Sequence, residues 1–138
     1  RETRLISRAT DGTPGNSSSI FPSISSDGNF ISFLSLANNL VSDDTNNYHD
    51  IFVHNRQTEE TTRVSIASDA TQANDHSETS SISADGRYVA FDSLASNLVP
   101  NDTNNVNDVF VRDRGEIPTP TPTETSTPTS TNTPICWF

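Results

Sequence analysis

The chain contains no lysine and no methionine, and Cys136 is its only cysteine. A single thiol cannot form an internal disulfide, and one this close to a terminus reads as incidental. All eight basic residues are arginines, scattered along the chain against 18 acidic residues, for a formal net charge of -10. Phosphate backbones are held by clustered Lys and Arg, so this balance excludes nucleic acid as a partner. No run is long and apolar enough to span a bilayer, and no signal peptide is visible. The start at Arg1 is expected to reflect a processed or truncated product. Apolar residues make up only 30% of the chain, and from Glu116 to Pro134 nearly every position is Thr, Pro or Ser. The core must come from roughly the first 115 residues, which is small for independent stability.

Catalytic signatures are also missing. There is no G-x-S-x-G elbow and no H-E-x-x-H pair. His49, His54 and His76 have no cysteine partner and read as solvated loop histidines. Ser25-x-Asp27-Gly28 lacks the extra residue before glycine found in the sialidase Asp-box. No two carboxylates stand out as a glycosidase pair. The expectation is a protein that is not an enzyme.

What is present is a repeat. Asp27-Gly28 recurs 58 positions on as Asp85-Gly86, Asp50 as Asp108, and Asp11 as Asp69. The run TRLISRATDGTPGN from Thr3 aligns without a gap on TTRVSIASDATQAN from Thr61, and the match continues to Arg56 over Arg114. About half of the aligned positions are identical. Within each copy, alternating apolar runs flank an Asp-Gly, the short-range signal of a tight hairpin. Strands are expected around Ile24, at Phe30 to Phe33, at Ile51 to Val53 and at Arg63 to Ile66, with counterparts in the second copy. Nothing shows sustained helical periodicity. The fold class predicted is all-β: two tandem four-stranded antiparallel propeller-type blades plus an extended Thr/Pro-rich tail. The repeats span about 3–57 and 61–115 within residues 1–115, and residues 116–138 form the tail. A four-stranded unit repeated at a fixed period suggests a blade, with a duplicated β-sandwich as the alternative. Matched places in both copies nominate Phe33, Phe91, Phe52, Phe110, Val53, Val111, Ile24 and Ile82 as the core.

The order P-S-I-S-S-D-G-N-F-I-S-F, then D-I-F-V, then T-T-R-V-S resembles the TolB-type propeller repeat of secreted bacterial proteins. Copy one carries Pro22, Ser25, Asp27, Gly28, Phe33, Asp50 and Arg63 of that pattern, while copy two has Ser80 in place of the proline. The resemblance implies the fold and leaves the role open, because propellers host many functions. It also implies that copy two stops at Gly115 before its fourth strand, and that residues 2–7 are a fourth strand without a blade of their own.

Two polar loops read DDTNNYHD and NDTNNVND. Asp44, Asn46 and Asp50, and likewise Asp102, Asn104 and Asp108, have the oxygen-rich alternation that suits Ca²⁺, with calcium expected at both loops or at neither. The competing reading makes these residues turn formers that bond their own backbone. Asn16-Ser17-Ser18 and Asn101-Asp102-Thr103 match the N-glycosylation pattern, as chance allows in so polar a chain. In the tail, alternating proline enforces an extended polyproline II path. Thr119, Thr121, Thr123, Thr127 and Thr129 are candidate O-glycosylation sites of a secreted stalk, with a bare spacer as the alternative.

These features point to a non-catalytic structural or interaction module, extracellular or at the cell surface. Its expected partner is itself. Glu2, Thr3, Arg4, Leu5, Ile6 and Ser7 would pair with residues 108–112 of a neighbouring copy, head to tail, closing a ring or extending a filament. Two other readings stay open. One is a ligand-binding module for glycans or proteins, with loops 36–49 and 94–107 as the site. The other is an accessory domain of a secreted hydrolase.

Overall fold

The computed structural model describes residues 1–116. Among them the chain is all-β. Its elements are β1 (Ser19–Ile24), β2 (Phe30–Ser35), β3 (Asp50–Asn55), β4 (Glu60–Arg63), β5 (Ser77–Ile82), β6 (Tyr88–Ser93) and β7 (Asp108–Asp113). They form two open antiparallel sheets, ordered β1-β2-β3-β4 and β5-β6-β7. No helix of the described chain is long and apolar enough to cross a membrane.

The Asp-Gly turns form as the sequence leads one to expect. Ser25 N donates to Phe30 O at 2.9 Å, and Gly28, at φ 72°, closes the turn by donating to Ser25 O. The Asp27 carboxylate accepts from Ser25 Oγ and Asn29 N, so the turn is held by its own side chains. These bonds recur at Ser83, Asp85 and Arg87. So does the asparagine staple ahead of β1: Asn16 N donates to Asn39 Oδ1 at 2.9 Å, and Asn74 N to Asn97 Oδ1 at 3.0 Å.

β4 occupies Glu60–Arg63, earlier than the expected Arg63 to Ile66. The run Val64-Ser65-Ile66 has strand composition, but Ile66 N donates back to Val64 O and turns the chain out of the sheet.

The larger core lies between the two sheets. Phe30, Leu34, Ile51 and Val53 of the first sheet meet Ile82, Val89 and Phe91 of the second. Gly86 is fixed there by contact as well as by its φ of 78°: a Cβ would come within 2.3 Å of the Phe30 ring. Arg114 covers the same ring at 5.0 Å and donates to Gly86 O. A second core, with Ile31, Phe33, Leu40 and Phe52, lies on the opposite face of the first sheet, where Ile6 of the N-terminal segment packs on it. β2 and β3 of the first sheet are therefore buried on both faces, while β1 stays largely exposed. The second sheet is covered on one.

That asymmetry corrects the core inferred by matching the copies. Ile82 is buried, but Ile24 is 60% exposed because no described sheet stands in front of it. Val53 is fully buried while Val111 is 66% exposed, and Phe110 is only half-buried.

Candidate functional site

The N-terminal segment repeats, bond for bond, the path that follows β4. Arg8 N donates to Ile6 O as Ile66 N does to Val64 O, and Gly15 N to Ser7 O as Ala73 N does to Ser65 O. An isolated bridge joins Arg8 to Pro14 and another joins Ile66 to Gln72. Residues 2–7 nevertheless form no strand among the described residues; the segment expected to be a fourth strand instead packs Ile6 on the first sheet.

A polar clamp holds it in place. Arg4 and Arg8 both reach Glu59. Thr61 N donates to Thr10 Oγ1 at 3.1 Å, and Thr61 Oγ1 donates to Arg8 O at 2.5 Å. With its proton so used, Thr61 Oγ1 accepts from His54 Nδ1 at 2.8 Å. His54 is not a solvated loop histidine: it lies on β3 and is fully buried. Burial, with the charges of Arg8 and Arg56, holds its pKa below the ordinary histidine value, so the ring is neutral at pH 7. His49 and His76 lie together at half-buried loop positions, rings 4.6 Å apart, with His49 N donating to His76 Nδ1.

At the other end, no described residue pairs with the outer edge of β7. Its Val109 is 78% exposed where the matched Ile51 is fully buried. In the first sheet that place is filled by β4, with Arg63 opposite Phe52 and Glu60 opposite Asn55.

The first polar loop gathers Asp44, Asn46 and Asp50 around an arginine. Arg63 Nη1 lies 3.4 Å from Asp44 and 3.6 Å from Asp50, and Nη2 lies 3.3 Å from Asp43. Asp50 Oδ1 accepts from Ser65 Oγ at 2.5 Å, and Oδ2 from the Asn46 side-chain amide at 2.9 Å. Burial pushes the Asp50 carboxyl above the ordinary range against those bonds, and burial with the Asp50 charge raises Asp44. A guanidinium therefore supplies the positive charge that the oxygen-rich pattern calls for. In the second loop Asn104 donates to Asp108 in the same way, but Asp102 and Asp108 have no arginine between them. Among the described residues no three His, Cys, Asp or Glu side chains form a metal-ligand group. Arg63 escapes the repeat comparison because its match in the N-terminal segment is Leu5.

Loop 36–49 borders an open cleft of about 590 Å³, lined by Thr10, Asp11, Asn38, Asn39 and Ser42. Asn16 is engaged through both side-chain atoms, donating to Asn38 Oδ1 and accepting from Asn38 N. Thr119, Thr121, Thr123, Thr127 and Thr129 lie outside the described residues.

No protein-family model matches the chain, and a search of curated proteins finds no match either.

Proposed function

We propose that the chain is a non-catalytic extracellular structural module of the TolB-type propeller kind whose copies join head to tail. One observation carries this reading: residues 6–15 repeat, bond for bond, the turn of residues 64–73 that follows β4, and Ile6 packs on the first sheet as Val64 packs in the core shared with the second, while the outer edge of β7 has no partner among the described residues. The segment need not swing out to reach a neighbour. The match of its turn to the one after β4 supports its pairing as a fourth strand of another copy. Paired in the register of β3 with β4, where Arg63 faces Phe52 and Thr62 faces Val53, Leu5 would stand opposite Phe110 and Arg4 opposite Val111 of the neighbouring chain. Ser7 then takes the place of Ser65, its hydroxyl on Asp108 as Ser65 is on Asp50. Successive additions give a filament, or a ring if the rotation closes. The Thr/Pro tail is the O-glycosylated stalk of this proposal.

Light scattering at increasing concentration is expected to show self-association of the intact chain and its loss on deleting residues 1–7. Deletion also uncovers Phe33 and Phe52, so Arg4→Pro is the cleaner test. Val64 N donates to Ile51 O, so Arg4, two residues before the matched Ile6, presents its own N–H to β7. Proline removes that donor at an exposed position, and Arg4→Ala, which loses the contact with Glu59 but keeps the N–H, is its control. A parent chain that stays monomeric, or an Arg4→Pro chain that associates unchanged, overturns the reading.

Calcium belongs to this proposal at Asp102, Asn104 and Asp108, since Arg63 serves the first loop. Equilibrium dialysis at millimolar calcium is expected to give one ion per chain. None, or two, rejects it.

A further inference from the structure

The contact between the two sheets is a template for what the outer faces accept. Across it, Phe30 of β2 rests on Gly86 with Arg114 above the ring. Ser26 N donates to Ala84 O at 2.9 Å, tying the two Asp-Gly turns together. Moved along the chain by one repeat, Phe30 becomes Tyr88, which is 40% exposed. Moved back by one, Gly86 becomes Gly28 and Arg114 becomes Arg56. Both halves of a second, unfilled contact are thus present at opposite ends of the molecule.

The Gly28 end is built like its filled counterpart. Arg56 donates to Gly28 O at 2.8 Å, as Arg114 does to Gly86 O. A Cβ on Gly28 would meet only Arg56 at 3.6 Å and Ile24 at 3.9 Å, because no ring occupies the space. Ile24, 60% exposed, stands where Ile82 is buried between the sheets. On the other half, Val109 and Val111 occupy the places of Ile51 and Val53, both fully buried in the template.

We infer that the open face of the second sheet docks on the first sheet of another copy, with Tyr88 seated on Gly28 beneath Arg56. This rests on the head-to-tail reading and names the side-chain contact that the strand edge alone does not supply. The occupant is a second copy because the same chain offers both halves of a contact that it already makes internally. One position departs from the template. Asp92 stands at the place of Leu34, and it accepts from Thr79 and from the Asn107 amide. Covering a carboxylate opposes docking, so the contact between copies is weaker than the one between sheets, and association is reversible.

Sedimentation velocity on the intact chain tests this. Asn tolerates a positive φ, so Gly28→Asn keeps the turn while filling the socket. Gly28→Asn and Tyr88→Ser are each expected to weaken association at least about tenfold with an unchanged melting temperature. Tyr88→Phe, which restores the Phe30 pattern, is expected to associate like the parent. Asp92→Leu is expected to tighten association about tenfold or more. If Gly28→Asn and Tyr88→Ser both associate like the parent, the socket is wrong. Should Arg4→Pro alone dissociate the copies, strand pairing stands without the socket; should the socket variants alone do so, the socket stands and strand pairing fails.

Discussion

Replacing Arg63 with methionine is expected to destabilise the chain by about 3–5 kcal/mol at pH 7, the cost of removing one partner from a buried ion pair. The Arg63 and Asp44 side chains are 3% and 4% exposed, and Asp50 is fully buried. Methionine fills much of the volume but leaves two carboxylates facing one another. Both already lie above the ordinary aspartate range through burial, and the Arg63 charge is among the influences that hold them down. Without it they rise further. The folded variant then takes up protons at a pH where the unfolded chain, at about 3.9, remains ionised. Stability of the variant relative to the parent therefore increases as pH falls from 7 towards that range. Other aspartates, such as Asp27 and Asp85, are held below the ordinary value by hydrogen bonds from Ser25 and Ser83. They act equally in both proteins, so the difference between the two curves isolates the Arg63 cluster. Urea titrations at pH 7 and pH 5 measure it. A gap of the same size at both would mean that lost packing, rather than stranded charge, is the cause.

Phe91→Ala is the second large effect, with an expected cost of about 3–5 kcal/mol. The ring is 4% exposed and lies in the core between the sheets, 5.8 Å from the Phe110 ring. Truncation leaves a cavity bounded by two sheets whose strands are tied at fixed register, so little collapse can fill it. Val111→Ala is the internal control. Its side chain is 66% exposed, and below the concentration at which copies associate it should change stability by less than about 0.5 kcal/mol. The comparison is the shift of the urea midpoint at constant slope. Equal shifts for the two variants would mean that the second sheet is not covered on the Phe91 side.

Periodicity carried the description a long way. The 58-residue offset and the Asp-Gly turns made the antiparallel meander and its duplication legible before any coordinates. What they could not convey is which faces are covered. Ile24 and Ile82 are the same residue in the same local pattern, yet one is exposed and the other buried, because burial depends on what stands opposite and not on the strand itself. The polar loop shows a different limit. Asp44, Asn46 and Asp50 have the spacing of a cation site, and the cation that they meet is Arg63, brought up by β4 from outside the motif. His54 departs from the loop histidine that the sequence suggests for a related reason. It occupies a buried strand position where the second copy has Arg112, so matching the copies gave no hint of its neutral, hydrogen-bonded role.

The one-sided cover of the second sheet also sets where the molecule opens first. Amides in β2 and β3 sit beneath two layers of side chains, and their exchange with solvent deuterium requires the whole structure to open. β7 has a single layer behind it and no described strand beyond, so its amides become accessible through a smaller, local excursion. A protease that senses such excursions would act at β7 before it acts at β2 or β3. Occupancy of the β7 edge by another chain would then be readable as protection that spreads from the C-terminal sheet inward, with no change in the slowest-exchanging amides of β3.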